Sequence, residues 1–343
     1  MTVKSALLGF AAAALMATGL AGAAEARDQI RIVGSSTVFP FTTAVAETFG
    51  KAGTFKAPIV ESTGTGGGLK LFCAGVGANY ADIANASRRI KRSEIDACQS
   101  NGIQDIIELT VGYDGIVLAN SKKAPTFALT IEQIWKALSA KVVVNGAVVD
   151  NPYKSWSDID PKLPAEKIEV LGPPPTSGTR DAFNELVMDH GCAKIAENKG
   201  LIAGKDCQKI REDGAFVEAG ENDNLIVQKL VANPNALGIF GYSYLEENTD
   251  KIQGATVNGN APTYENVQSG KYPVSRELYI YVKKYQIGEI PGIVEFLNEY
   301  FSDRSIAASG YLENKGLILL SPERLAQQRE IVKNLTPIDT SAF

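Results

Sequence analysis

Three short segments of this 343-residue chain repeat one design: a strand end, then hydroxyls and glycines, then a helix start. They are Gly34-Ser35-Ser36-Thr37-Val38-Phe39-Pro40, Ser62-Thr63-Gly64-Thr65-Gly66-Gly67-Gly68 and Thr176-Ser177-Gly178-Thr179-Arg180. The first amides of a helix have no intrahelical acceptor, and the positive end of the helix dipole lies there. Glycine lets backbone approach a ligand closely, and serine and threonine add directional donors. The combination is a cradle for an anion. Taken singly, each segment also reads as a plain N-cap or turn. The recurrence in three places favours the anion. None of the three carries a P-loop or a dinucleotide fingerprint.

Two arginines stand beside these segments. Arg88 follows Ala86-Ser87, and Arg180 closes the third segment. A guanidinium fork suits a tetrahedral oxyanion. The alternatives are a surface charge for Arg88 and an ion pair with Asp181 for Arg180. Hydrolytic chemistry has no matching constellation. His190 is the one histidine, it precedes Gly191 at a helix end, and neither H-E-x-x-H nor G-x-S-x-G occurs. No C-x-x-C spacing suggests a metal site, and no cofactor is indicated.

The elements that must position these residues alternate strand and helix. Strands are expected at Gln29–Val33, Ala57–Glu61, Tyr80–Asn85, Asp105–Val111, Gly115–Ala119, Lys167–Leu171, Ala236–Phe240 and Tyr272–Lys283. Helices are expected at Phe41–Phe49, from Gly68 to Ala74, after an N-cap at Ser93, and at Ile131–Leu138, Asp181–Met188 and Asn224–Ala232, with a final one at Gly292–Phe301. The pattern predicts an α/β fold of parallel sheets flanked by helices.

With 45% hydrophobic residues the chain can bury a sizeable core, and its length favours about two domains. Lys4, the uncharged apolar run Ala6–Leu20 and the small residues up to Ala26 read as a signal peptide over residues 1–26. No later segment is apolar enough to span a bilayer. Export permits disulfides. Cys73, Cys98, Cys192 and Cys207 allow three pairings; the nearest-neighbour one closes two moderate loops, each bridge contributing about 3 kcal/mol. Losing residues 1–26 removes Lys4 and Glu25, so the formal charge stays at -5. An anion must then be attracted locally. The basic run from Arg88 to Arg92 reads as a solvated helix start, and no nucleic-acid partner is expected.

These segments resemble the phosphate-binding proteins of phosphate ABC transporters, the PstS family. The matching stretches are GSSTVFPF (Gly34–Phe41), ESTGTGGGLK (Glu61–Lys70), DIANASRRI (Asp82–Ile90), GYDGIVLA (Gly112–Ala119), GPPPTSGTRDAF (Gly172–Phe183), ALGIFGY (Ala236–Tyr242) and YPVSRELY (Tyr272–Tyr279). They run in family order over nearly the whole chain after residue 26. The resemblance implies a two-lobed type II periplasmic-binding-protein fold. Two hinge strands would cross near Val111–Asp114 and Val274–Glu277. Lobe 1 would comprise residues 27–111 and 276–343, and lobe 2 residues 112–275. Each nearest-neighbour disulfide then stays within one lobe.

By the same resemblance, the phosphate ligands are Ser36, Thr37 and Val38 from the first loop, Thr65 from the second, and Ser177, Gly178 and Thr179 from the third. Arg88 matches a Ser-Arg variant of the next contact position. Some members carry an arginine and an aspartate before Ser-Gly-Thr; here Pro173 and Pro175 stand there. Arg88 and Arg180 are expected to replace that arginine, and Asp114 to supply a carboxylate that accepts the phosphate proton and repels sulfate. The implied protein is a monomeric periplasmic receptor that hands inorganic phosphate to membrane permease subunits and is not an enzyme. The alternatives are another tetrahedral oxyanion (sulfate, molybdate or tungstate) or a secreted phosphohydrolase.

Overall fold

The computed structural model describes residues 27–220 and 223–343, so the expected signal peptide lies outside the described residues. In lobe 1, parallel strands β1 (Arg31–Gly34), β2 (Ile59–Ser62) and β3 (Ile83–Ala86) alternate with helices α1 (Phe39–Lys51), α2 (Thr65–Phe72) and α3 (Arg92–Ser100). Apolar side chains of α1 recur on one face, so Phe41, Val45 and Phe49 are buried against the sheet. Strand β4 (Ile106–Ser121) then runs out of lobe 1 and into lobe 2. The sequence reads as two strands there because the polar pair Tyr113-Asp114 interrupts the apolar pattern. The backbone nevertheless continues unbroken.

Lobe 2 adds α4 (Ile131–Leu138), β5 (Val170–Gly172), α5 (Gly178–Phe183), β6 (Phe216–Glu218), β7 (Leu237–Gly241) and β8 (Ile252–Gly254). Strand β9 (Ser275–Lys283) returns to lobe 1. The strand order is β2-β1-β3-β9-β4-β7-β5-β6, with β8 on the far half of β4. The outer strands of each lobe are parallel as expected. The sheets are mixed, because β9 runs antiparallel to β3 and β4, and β4 antiparallel to β7. A chain that leaves a lobe on one strand and returns on its neighbour must pair them this way. Between Leu278 and Tyr279 the β4–β9 register slips by one residue, leaving Val111 unopposed.

One core gathers buried side chains from Ile116 to Val274, together with Ile318. A second lies between α1 and the lobe 1 sheet, and a smaller one under α2 and α3. Disulfide Cys73–Cys98 lies within the smaller core and Cys192–Cys207 within that of lobe 2. Helix Ile293–Tyr300 is not the last one: Pro322–Asn334 follows it. Its buried stripe is thin, Leu325, Gln328 and Val332, so apolar periodicity does not reveal it. The Ser321 cap and Pro322 in the first turn were the legible signal.

Lys283, at the end of β9, is buried, donates to Gly75 O at 2.6 Å and lies over the Phe72 ring. Burial pulls its pKa down from 10.5 to about 8, against the attraction of Asp82. Between those values the unfolded chain binds a proton that the folded chain releases, so folding stability gains with rising pH. Denaturant titrations of the wild type and Lys283→Met should therefore differ in slope between pH 8 and 10.5. Parallel profiles would show that Lys283 titrates normally.

Candidate functional site

All three loops reach the cleft between the lobes, and glycines set how closely they meet. A Cβ on Gly68 would lie 2.2 Å from Gly34 Cα, so the second loop sits directly on the first. The backbone adds Ser35 N to Asn85 O at 2.9 Å and Thr63 N to Gly34 O at 2.8 Å. Across the cleft, a Cβ on Gly178 would meet Thr37 N at 2.9 Å and Ser36 Oγ at 3.1 Å. Thr37 Oγ1 donates to Gly178 O at 3.2 Å, and Ser36 Oγ donates to Asp181 Oδ2 at 3.0 Å. The lobes are closed on one another.

Two cavities flank this contact. One, of about 220 Å³, is lined on the lobe 1 side by Ser35, Ser36, Gly64, Thr65, Gly66 and Ser87, and on the lobe 2 side by Asp181, Asn184, Glu185 and Gln208. It is smaller than the roughly 300–1,000 Å³ usual for drug-sized ligands. The N-terminus of α2 opens here, with Gly64 as N-cap and no side chain capping it. Thr65 and Ser87 are buried, and their hydroxyl oxygens lie 2.8 Å apart. Two hydroxyls sharing one hydrogen bond leave one hydroxyl hydrogen for a ligand. Opposite, α5 continues as a π-helical segment, Asn184–Asp189, that carries Glu185. The result is a wall of donors from lobe 1 facing two carboxylates from lobe 2.

The second cavity, of about 250 Å³, holds Asp114, Ser177, Gly178 and Thr179, and shares Ser36 with the first. Thr37 lines it as well. The expected ligand residues are thus divided between two neighbouring spaces. Thr65 belongs to the first, and Ser36 to both.

Several expected donors are already engaged. Ser35 Oγ accepts from the amides of Thr37 at 3.2 Å and Val38 at 3.3 Å, and Val38 itself is buried in the lobe 1 core. Ser177 Oγ accepts from Thr179 N at 3.2 Å and so caps α5. Arg88 does not line the first cavity; its Nη2 lies 4.0 Å from where a Cβ on the lining residue Gly66 would stand. Glu94 holds it by two bonds of 2.8 and 3.0 Å and raises its pKa. Arg180 does not join the loops. Its guanidinium donates to Pro173 O at 3.0 Å and stacks 4.9 Å over the Phe216 ring, in a separate groove with Glu218. The aromatic face and the backbone acceptor capture it, and burial pushes its pKa down.

Asp114 faces an arginine that sequence reasoning did not single out. Arg276, opposite Asp114 in the β4–β9 register, has its side chain only 6% exposed. Its Nε lies 3.5 Å from Asp114 Oδ2, its Nη1 donates to Glu185 Oε2 at 2.7 Å, and its Nη2 donates to Thr37 Oγ1 at 2.9 Å. Burial raises the Asp114 pKa, against the pull of Arg276. Ser35, Ser87, Asp181 and Glu185 also escaped assignment. Ser35 and Ser87 were legible as neighbours of chosen residues; the two carboxylates, one helical turn apart after the Ser-Gly-Thr loop, were legible as a pair.

The PBP superfamily domain matches residues 21–304. Protein SphX of Synechococcus elongatus is 34% identical, over 87% of this chain and 80% of that protein. The phosphate-binding protein PstS of Staphylococcus saprophyticus is 28% identical, over 94% of this chain and 90% of its own. Among solved structures, a possible phosphate binding protein from Planctomyces limnophilus superposes with a TM-score of 0.72 at 28% identity, covering 89% of this chain and 98% of that one.

The glycine contacts separate folding from closure. Gly68→Ala packs a methyl group into Gly34 within lobe 1 and should lower stability by about 1–3 kcal/mol. Gly178→Ala clashes only across the cleft; it should leave the melting temperature nearly unchanged and enlarge the radius of gyration in small-angle scattering. Equal loss of stability in both variants would contradict this division.

Proposed function

The chain belongs to the PBP superfamily and, within it, to the family of the PstS and SphX proteins, and on that premise we propose that it captures inorganic phosphate in the cleft and delivers it to an ABC importer. The family is one of solute-binding receptors, not enzymes. In this reading residues 1–26 direct export to the periplasm, the mature chain acts as a monomer, and permease subunits receive the ion. Residues 27–111 with 276–343 move as one lobe against residues 112–275.

The observation that carries the proposal is the first cavity, where donors of one lobe face carboxylates of the other. The uncapped N-terminus of α2 and the one hydroxyl hydrogen left by the Thr65–Ser87 pair supply hydrogen bonds and partial positive charge to oxyanion oxygens, and Ser36 can add another by exchanging its bond to Asp181 for one to the ion. Arg88, beside the lining residue Gly66, adds positive charge nearby that Glu94 partly neutralises. Such a donor set takes any tetrahedral oxyanion. The carboxylates narrow the choice. Phosphate near neutral pH keeps a proton and can donate it to Asp181; sulfate has none, and would face that carboxylate with only lone pairs. A buried unmet acceptor costs about 1–3 kcal/mol; Asp181 is exposed, so the repulsion between the two negative groups is eased by water and the discrimination is correspondingly smaller.

Asp181 takes the role first expected of Asp114 for two reasons. Asp181 lines the cavity that holds Thr65, whereas Asp114 lies in the neighbouring one beside Arg276. Glu185, the other carboxylate of the wall, is engaged by Arg276.

Calorimetry on the mature protein, stripped of carried-over ligand, tests this reading. Phosphate should bind more tightly than sulfate, and Thr65→Ala should weaken phosphate by about tenfold or more. Asp181→Asn should relax the preference over sulfate, and Asp114→Asn should leave it in place. Comparable sulfate and phosphate affinities in the wild type would overturn the assignment, and lost selectivity in Asp114→Asn alone would move the ion to the second cavity.

A further inference from the structure

Arg276 touches three parts of the molecule that must move relative to one another. It stands on β9, one of the two crossing strands, and Asp114 on the other strand lies 3.5 Å from its Nε. Its two Nη atoms reach out in different directions, Nη2 to Thr37 of lobe 1 and Nη1 to Glu185 of lobe 2. The Arg276 side chain is 6% exposed, so its end of each charge-assisted bond is withdrawn from water, while Glu185 at the other end is 39% exposed and its bond is partly screened. Rotation of the lobes about the crossing strands changes the distance from Arg276 to at least one of the two.

Its bond to Thr37 also has a directional consequence. A guanidinium donates and never accepts. With Arg276 donating to Thr37 Oγ1, the threonine hydroxyl hydrogen must point elsewhere, and it points across the cleft to Gly178 O at 3.2 Å. Arg276 thereby makes Thr37 a donor towards the opposite lobe.

We propose that Arg276 is the closure latch of this receptor: a positioning residue on the hinge whose bond to Glu185 forms on closure, and whose bond to Thr37 aims that hydroxyl across the cleft. The assignment goes beyond ligand contact, since it makes the closed state partly independent of the ion. It rests on the phosphate-receptor reading only where phosphate release serves as a readout. A latch that forms on closure acts on dissociation and leaves encounter with the open form alone.

The experiment combines stopped-flow phosphate release with small-angle scattering of the unliganded mature protein. Arg276→Gln and Glu185→Gln should each speed phosphate dissociation by about tenfold, the scale of one charge-assisted hydrogen bond, with association changed far less. The double variant should dissociate no faster than the faster single variant, because both remove one interaction. Each single variant should also enlarge the unliganded radius of gyration. Multiplying effects in the double variant, or slowed association with normal release, would overturn the latch. Arg276→Gln leaves Asp114 without its cation and can fail to fold; Glu185→Gln, at the rim of lobe 2, then decides through scattering and release. If phosphate proves not to be the ligand, unchanged scattering in Glu185→Gln still sinks the latch by itself.

Discussion

A helix N-terminus attracts an anion, but enclosing one takes groups from several chain segments, and here that requires the segments to touch where side chains would keep them apart. The first and second loops meet at Gly34 and Gly68, and the first and third at Gly178. The sheets answer to this requirement. Parallel strands β1, β2 and β3 all end at the cleft, so the segments that follow them begin there. Lobe 2 repeats the arrangement with β5 leading towards Gly178. The site is therefore divided between two bodies, and only their approach completes it.

The division solves an electrostatic difficulty. A chain with a formal charge of -5 repels an anion as a whole, so attraction must be local. Lobe 1 supplies it with an uncapped helix start, hydroxyls and Arg88. Lobe 2 brings carboxylates, which are a poor surface for a bare anion and a good one for an anion that carries a proton. Glu94 holds Arg88 and Arg276 holds Glu185, so neither charge of these pairs is left alone near the cleft. Arg276 has the further property of belonging to the crossing strands, where a change in lobe angle is felt.

Much of this was legible in the residues. Hydroxyl-glycine loops between strand and helix named the anion cradle, and the order of the motifs named the fold. The cysteine pairs follow from neighbours along the chain. What remained hidden depends on through-space partners. Nothing local to Arg180 tells that Phe216 and Pro173 O will capture it. Arg276 lies within a recognisable stretch, yet its meaning comes from Thr37, Asp114 and Glu185, which are distant in sequence. Within the loops, Ser35 and Ser177 oxygens accept from amides of their own segments, which occupies those amides and leaves the two hydroxyl hydrogens to donate. Side-chain capping and ligand binding compete for the same donors, and residue type alone does not say which prevails.

A crystal structure of the phosphate complex tests the central claim most directly. The ion should lie in the cavity between the α2 N-terminus and Asp181, with Thr65 from one lobe and Asp181 from the other both within hydrogen-bond distance of its oxygens. An ion seated beside Asp114 and Thr179 with Thr65 out of reach, or held by one lobe alone, would contradict the account.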